Sequence, residues 1–324
     1  MTTLLDIQQA AQRIVGHVHE TPVLTSRTMD ELASRDGVAR QLFFKCENLQ
    51  RIGAFKIRGA MNAVLALDEE TAKRGVVTHS SGNHAQALAL AARTRGISAH
   101  IVMPSNSPAV KCDAVRGYGG QIVFCEPTQA SREANAKRIA QETGATLIPP
   151  YDDEAVIAGQ GTIALELFAS HPELDAVIVP LGGGGLISGI ALAYRELAPQ
   201  VAVIGAEPAL AADAFESKAT GMLVGQKAPL TVADGLRTSL GSHTFPVVRD
   251  VVRSIVLVDE EAIIASMRLV FERMKLVIEP SAGVSVAVAI GRGQTQLAPS
   301  LRRIGVILCG GNVDLDALPW IPKS

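Results

Sequence analysis

The sequence predicts an α/β fold built on parallel sheets, and three observations carry that prediction. Short runs rich in Val and Ile alternate with stretches of helical period along most of the chain. The strand-like runs, such as Ala176-Val-Ile-Val179, are apolar throughout, the pattern of strands covered on both faces. Glycine-bearing turns stand where several of these strands give way to helices.

In chain order, Asp6–Val15 reads as a capped amphipathic helix and Gln41–Cys46 as a strand. Ile57–Leu67 is helical, Gly75–His79 is a strand, and Ala85–Thr94 is a helix closed by Gly96. Ala99–Met103 and Gln121–Cys125 are strands. Between them Pro108–Val115 is a helix with proline at its start. Ser131–Glu142 is a helix with a capping hydroxyl ahead of it. In the second half, strands at Ala176–Val179, Val201–Ala206, Ser254–Val258 and Ile304–Leu308 accompany helices at Leu186–Leu197 and Glu260–Met274.

The 324 residues are enough for roughly two domains. Pro149-Pro150-Tyr151 marks one crossing point and the stretch from Glu69 to Gly75 a second. The division expected is residues 1–72 with 149–324 as a large domain and 73–148 as a small one closing over the site.

Thirty basic and 32 acidic residues nearly balance, and no basic block stands out, so a nucleic-acid surface is not indicated. The mean hydropathy of +0.24 comes from many short runs, and none approaches the ~18 apolar residues of a membrane span. The first residues lack the basic start of a signal peptide. Cys46, Cys112, Cys125 and Cys309 form no close pair, which fits free thiols in a reducing cytoplasm.

The chemistry centres on Asn48-Leu-Gln-Arg-Ile-Gly-Ala-Phe-Lys-Ile-Arg-Gly-Ala60. Lys56 stands at the head of a helical run. There the positive end of the helix dipole disfavours an ammonium and eases access to the neutral amine that Schiff-base chemistry needs. Taken alone, a lysine is mostly a solvated surface residue. Leu181-Gly-Gly-Gly-Gly-Leu186 joins a strand to a helix, so its amides can converge on a phosphate. Ile190 stands where a P-loop lysine would be, and the spacing is not that of a dinucleotide fingerprint. Ser80-Ser-Gly-Asn-His84 is a second strand-to-helix turn, offering amides for a carboxylate as well as polar side chains. Leu308-Cys-Gly-Gly-Asn-Val313 follows the last strand, where open α/β sheets keep ligands. Glu207 and Asp213 are two acids after a strand, either solvated or able to share a hard cation with carbonyls.

Together these stretches resemble the fold type II pyridoxal phosphate enzymes, and most nearly the serine/threonine dehydratases and serine racemases. The similarity runs from Thr21-Pro-Val to Asn312-Val-Asp314 and takes in Ala158-Gly-Gln-Gly-Thr162, Ala233-Asp-Gly235 and Met274-Lys-Leu-Val-Ile-Glu-Pro280. The resemblance implies two open, twisted, mostly parallel sheets flanked by helices, in a large and a small domain like those of tryptophan synthase β. It implies that Lys56 carries the cofactor as a Schiff base and that Phe55 packs on the pyridine ring. Asn83 would bond the ring 3-oxygen, Gly182, Gly183, Gly184 and Gly185 would hold the phosphate, and Cys309 would face the ring nitrogen. Many relatives have serine there; a thiol is likewise neutral and weakly acidic, so neither protonates the ring nitrogen as an aspartate would, and a neutral ring, the poorer electron sink, suits β-elimination.

By the same resemblance, Ser81 faces Lys56 across the cofactor, and Ser80, Asn83, His84, Arg132 and Ser239 approach the substrate carboxylate; Arg132 reads equally as a surface residue of its helix. Glu207, the Ala211 carbonyl and Asp213 match a divalent-cation site for Mg2+, Mn2+ or Ca2+. The implied activity is β-elimination from a β-hydroxy amino acid such as L-threonine or L-serine, giving a 2-oxo acid and ammonia. The alternatives are an amino-acid racemase with elimination as a side reaction, a 3-hydroxyaspartate dehydratase, and a non-catalytic binding protein on the same fold. Pro150-Tyr-Asp-Asp153 looks more like bacterial threonine dehydratases than animal serine racemases. A homodimer acting on a small amino acid is expected.

Overall fold

Local capping chemistry starts the chain as the sequence leads one to expect. The Thr3 hydroxyl accepts from the Asp6 amide at 3.3 Å while the Asp6 carboxylate accepts from the Thr3 amide at 2.8 Å, a reciprocal cap on the first helix. The computed structural model describes residues 1–34, 37–226 and 229–321. The elements are α1 (Leu4–Ile14), β1 (Val23–Leu24), α2 (Arg27–Ala33), β2 (Gln41–Lys45), α3 (Lys56–Ala66) and α4 (Glu69–Lys73). They continue with β3 (Val76–His79), α5 (Asn83–Arg95), β4 (Ala99–Pro104), α6 (Ala109–Gly117), β5 (Gln121–Cys125), α7 (Gln129–Thr143) and β6 (Thr146–Leu147). The second half holds α8 (Glu154–Ser170), β7 (Ala176–Pro180), α9 (Gly185–Leu197), β8 (Ala202–Pro208), α10 (Asp213–Thr220) and α11 (Thr244–Asp250). Then come β9 (Ser254–Val258), α12 (Glu260–Met274), α13 (Pro280–Ala289) and β10 (Arg303–Ile307).

Two sheets form. One has the order β1-β2-β10-β7-β8-β9 and the other β5-β4-β3-β6. Among the described strands only β1 runs antiparallel to its neighbour, pairing Val23 with Lys45. Parallel pairing needs a crossover at each step, and the helices supply it while covering both faces. The smaller sheet draws all its strands from residues 76–147.

The strand-to-helix alternation emerges where the sequence predicts it, with ends shifted by a residue or two. Thr128 is the capping hydroxyl of α7, accepting from the Ser131 amide at 3.2 Å. The stretch 69–73, expected as a crossing, is itself the short helix α4. Two long helices were not predicted, α8 and α13. Residues 156–164 of α8 and 281–289 of α13 are buried without a break. Helices enclosed on every side carry no polar stripe, so no 3.6-residue period marks them.

Helix α3 packs against both α8 and α5, and so lies between the elements of the two sheets. A buried ionic cluster fixes it there. Arg58 and Glu47 are both 0% exposed. The Arg58 guanidinium donates to Glu47 at 2.8 and 2.9 Å and also to Glu166, which in turn accepts from Lys45. Charges this deep are tolerated because every one is paired. The cluster holds the first turn of α3 two residues beyond Lys56.

Candidate active site

Four parallel strands deliver chemistry at their carboxyl ends: β3 leads to Ser80, β7 to the glycine loop, β10 to Cys309, and β8 carries Glu207. Lys56 is the first residue of α3, and the amide of its neighbour Phe55 donates to the Cys309 carbonyl at 3.0 Å. The two motifs, far apart in sequence, are thereby joined through the backbone. The Lys56 Nζ donates to the Pro150 carbonyl at 2.6 Å and lies 5.1 Å from the Phe55 ring centre and 6.0 Å from that of Tyr151. Desolvation brings its pKa down to about 8, and the neighbouring Cys309 and Glu279 oppose that fall only in part. A lysine in this state has a substantial neutral fraction near neutral pH.

The turn after β3 begins α5 at Asn83, with Gly82 at the cap position and no side chain capping the helix. The Ser80 amide donates to Val102, and its hydroxyl accepts from the Gly82 amide at 3.3 Å. Ser80 and Ser81 are both half-buried. His84 is 2% exposed, with Nε2 3.0 Å from the Ile148 carbonyl. Burial, then the charge of Lys56, push its pKa down to about 3, so the ring is neutral. A carbonyl only accepts, so the proton is on Nε2 and Nδ1 is a bare acceptor, which has no partner among the described residues. His84 therefore ties the turn to Ile148 and has no N–H left for a carboxylate in this arrangement.

Asn83 donates from Nδ2 to both carboxylate oxygens of Glu279, at 3.2 and 3.0 Å, and accepts at Oδ1 from Asn312 Nδ2 at 2.8 Å. Cys309, 2% exposed, donates its thiol to Glu279 Oε1 at 3.8 Å. Burial and the Glu279 charge hold that thiol well above its usual pKa, so it is not a thiolate.

The glycine loop Gly182–Gly185 is buried and leads into α9, whose N-terminus no side chain caps. A buried helix start without a cap leaves its first amides for a ligand. Gly184 has φ +87°, a conformation that favours glycine, and a Cβ on Gly183 would stand 2.5 Å from the Tyr151 ring. Thr244 braces the loop from below, its hydroxyl donating to the Gly183 carbonyl at 2.9 Å.

Other expected site residues lie elsewhere or are engaged. Arg132 is on α7, its Nε buried without a hydrogen-bond partner among the described residues. Its charge helps burial to lower the pKa of His79, the residue before Ser80. The Ser239 hydroxyl accepts from the Gln226 amide at 2.8 Å. Glu207 is buried and accepts from the amides of Ala214 and Phe215 at 2.9 Å each. Neither oxygen of the buried Asp213 makes a close hydrogen bond among the described residues, while the Gln226 side chain and the Leu240 amide lie near enough to favour its ionised form. Burial raises Glu207 to about 8 and Asp213 to about 6. No group of three or more His, Cys, Asp or Glu that could hold a metal occurs among the described residues. A site here would therefore need carbonyls such as that of Ala211.

Three site residues carried no assigned role in the sequence: Tyr151, Glu279 and Asn312. Glu279 had a signal, an acid between Ile278 and Pro280 at the start of an apolar run. Tyr151 entered only through the crossing and the Pro150-Tyr-Asp-Asp153 resemblance, and Asn312 only through the turn after the last strand and the end of the family similarity.

Comparison with known proteins gives one consistent picture. Residues 14–310 match the family model described as pyridoxal-phosphate dependent enzyme. A serine racemase of Arabidopsis thaliana is 49% identical over 318 residues, covering 97% of this chain and 94% of the relative. The structure of maize serine racemase superposes with a TM-score of 0.94 at 46% identity, covering 97% of this chain and 95% of that one. The T.th. threonine deaminase superposes with a TM-score of 0.89 at 41% identity, over 97% of this chain and 99% of that one.

Proposed function

The chain belongs to the pyridoxal-phosphate dependent enzymes, and from that premise we propose that it acts on serine, inverting the configuration at Cα and also eliminating the β-hydroxyl. The sequence put elimination first. The relatives named serine racemase, at 46–49% identity, favour inversion over the threonine deaminase, at 41%. The observation that carries the reading is Lys56, a desolvated amine beside two aromatic rings and close enough to the Ser80–His84 turn for its charge to depress His84.

The residues present fit the cofactor. The uncapped, buried start of α9 suits a phosphate, and the Asn83 amide has a second hydrogen for a ring oxygen. When bound, pyridoxal phosphate supplies an electron-accepting ring that acidifies Cα of an attached amino acid. Lys56, released from the Pro150 carbonyl, accepts the Cα proton on one face. The Ser81 hydroxyl returns a proton on the other face, which inverts the centre. In elimination Ser81 is not needed: Lys56 takes the Cα proton and the β-hydroxyl departs as water after gaining a proton. The remaining product hydrolyses to a 2-oxo acid and ammonia. Residues 73–148 act as the small domain that closes over this cleft and excludes water. A divalent cation joins Glu207, Asp213 and the Ala211 carbonyl, and the enzyme works as a homodimer in a reducing cytoplasm, where its four buried cysteines stay free.

The test is a substrate panel of L- and D-serine, L-threonine and the 3-hydroxyaspartate isomers, reading 2-oxo acid and product chirality together. Ser81→Ala is expected to abolish inversion and D-serine consumption while sparing elimination from L-serine. A native enzyme that makes no D-serine sinks the inversion reading. A preference for hydroxyaspartate would direct attention to Arg132, whose buried unpartnered Nε favours an anionic substrate group.

A further inference from the structure

Among the described residues, Ile52 and Lys275 are the two that have positive φ without being glycine. Lys275 closes α12, where a left-handed residue is an ordinary helix end. Ile52 has no such reason. Its φ of +60° and ψ of +7° fall in the left-handed region, which a side chain branched at Cβ enters only under strain. It is third in the turn Gln50–Gly53, closed by the Gly53 amide on the Gln50 carbonyl at 2.8 Å. A positive φ in that place ordinarily falls to glycine or asparagine. Strain of this kind persists only where the surroundings hold it.

Two contacts hold it. The Ile52 side chain is 7% exposed and shares an apolar cluster with Ile57 of α3 and Leu88 of α5. The Ile52 carbonyl accepts from Asn312 Nδ2 at 2.7 Å. Gly53 gives Asn312 the room, since a Cβ there would stand 2.6 Å from Asn312 Oδ1. Past the turn the chain runs beside the segment that leaves β10. The Gly311 amide donates to the Gly53 carbonyl at 2.9 Å, Ala54 bridges to Gly310, and the Phe55 amide donates to the Cys309 carbonyl at 3.0 Å. Lys56 comes next, so the shape of the turn sets the line along which the amine reaches the cleft.

We propose that Asn312 is a positioning residue for Lys56: its amide clamps the strained Ile52 peptide, and without the clamp the turn relaxes and carries Lys56 out of place. The inference rests on the role given to Lys56 above. The rival account is that Asn312 serves through Asn83, whose Oδ1 accepts from the same nitrogen at 2.8 Å. The two accounts differ on one point. Glycine enters the left-handed region at no steric cost, so Ile52→Gly makes the clamp dispensable. The same change does nothing for a lost bond to Asn83.

The test follows Lys56 in the cofactor-free protein. Uptake of pyridoxal phosphate is timed by absorbance across pH in native protein, in Asn312→Ala, and in Asn312→Ala combined with Ile52→Gly or with Ile52→Val. Ile52 and Asn312 carry no charge, and the titratable groups coupled to Lys56 are Cys309, Glu279 and His84. A change in the pH midpoint of uptake thus reports a move of the amine and not a new charge. Asn312→Ala is expected to slow uptake about 10- to 100-fold. Its midpoint should move from about 8 toward 10.5 as the amine regains water. Adding Ile52→Gly should return the rate to within about threefold of native and restore the midpoint, because the two changes act on one turn. Ile52→Val keeps the branch at Cβ and should repair neither. Exchange of the Gly311 and Phe55 amides, faster in Asn312→Ala, should slow again in the combination with Ile52→Gly.

Native uptake in Asn312→Ala, or slow uptake that Ile52→Gly does not repair, overturns the proposal. If the combination with Ile52→Gly does not fold, Ile52→Asn takes its place, because asparagine also visits the left-handed region, and failure to repair there overturns it equally. A native chain that gains no visible band with pyridoxal phosphate overturns the proposed function itself, whereas a native band with no effect of Asn312 overturns only this inference.

Discussion

The Lys56 ammonium donates to the backbone carbonyl of Pro150 at 2.6 Å. This bond joins the start of α3 to the segment that leaves the smaller sheet after β6. The residues that follow Pro150 each brace a different part of the site. Tyr151 packs on Gly183 and Gly185 of the phosphate loop. The Asp152 carboxylate accepts from the amides of Ser242, His243 and Thr244 at 2.8–3.1 Å. Asp153 caps α8, accepting from the Val156 amide at 2.9 Å. The crossing between the sheets is thus also the frame of the cleft.

Lys56 leads to a prediction with a definite sign. Its folded pKa of about 8 lies below the usual 10.5. Cofactor uptake by the cofactor-free protein should therefore accelerate as pH rises through 8 and then level off, because the neutral amine is the reacting form. Between about 8 and 10.5 the unfolded chain holds a proton that the folded one does not, so cofactor-free stability should rise with pH across that window. Lys56→Ala should remove the stability rise, the visible absorption band and turnover together. Stopped-flow absorbance across pH checks the uptake rate, and a profile flat through 8 contradicts the assignment.

Gly183→Ala should damage the phosphate cradle through Tyr151. The added methyl would sit 2.5 Å from the ring, and the buried loop must shift to admit it. Overpacking of this kind costs about 1–3 kcal/mol of stability. Displaced amides should weaken cofactor binding about 10- to 100-fold. Fluorescence titration with pyridoxal phosphate measures this, and Tyr151→Ala in the same chain should restore part of the affinity. Native affinity in Gly183→Ala would show that the loop does not hold the phosphate.

Much of the fold and part of the site were legible because they rest on local signals. The Ala176–Pro180 strand followed by four glycines announces both a buried strand and a helix start open to a ligand. The Thr3 and Thr128 caps announce helix starts. What escaped depends on tertiary partners. Helices α8 and α13 are buried all round and so lack amphipathic period. Glu279 acquires meaning only when Asn83 and Cys309 arrive from 196 and 30 residues away. His84 entered as a substrate contact through the family resemblance, and nothing local reveals that Ile148 takes its N–H.

The two acids after β8 give the last prediction. Asp213 has two buried oxygens that make no close hydrogen bond among the described residues, only weaker approaches from the Gln226 side chain and the Leu240 amide, near the buried Glu207, which accepts from the Ala214 and Phe215 amides. An arrangement that leaves buried acceptors poorly satisfied is destabilising by itself and is relieved by a hard cation. Adding millimolar Mg2+, Mn2+ or Ca2+ to chelator-treated protein should therefore raise the melting temperature, since a ligand bound only by the folded state stabilises it by mass action. Asp213→Asn should abolish that response, and by removing the uncompensated charge it should also raise the melting temperature of the cation-free protein. A cation response that survives Asp213→Asn places the ion elsewhere, and no response in the native protein leaves the two acids without a metal role.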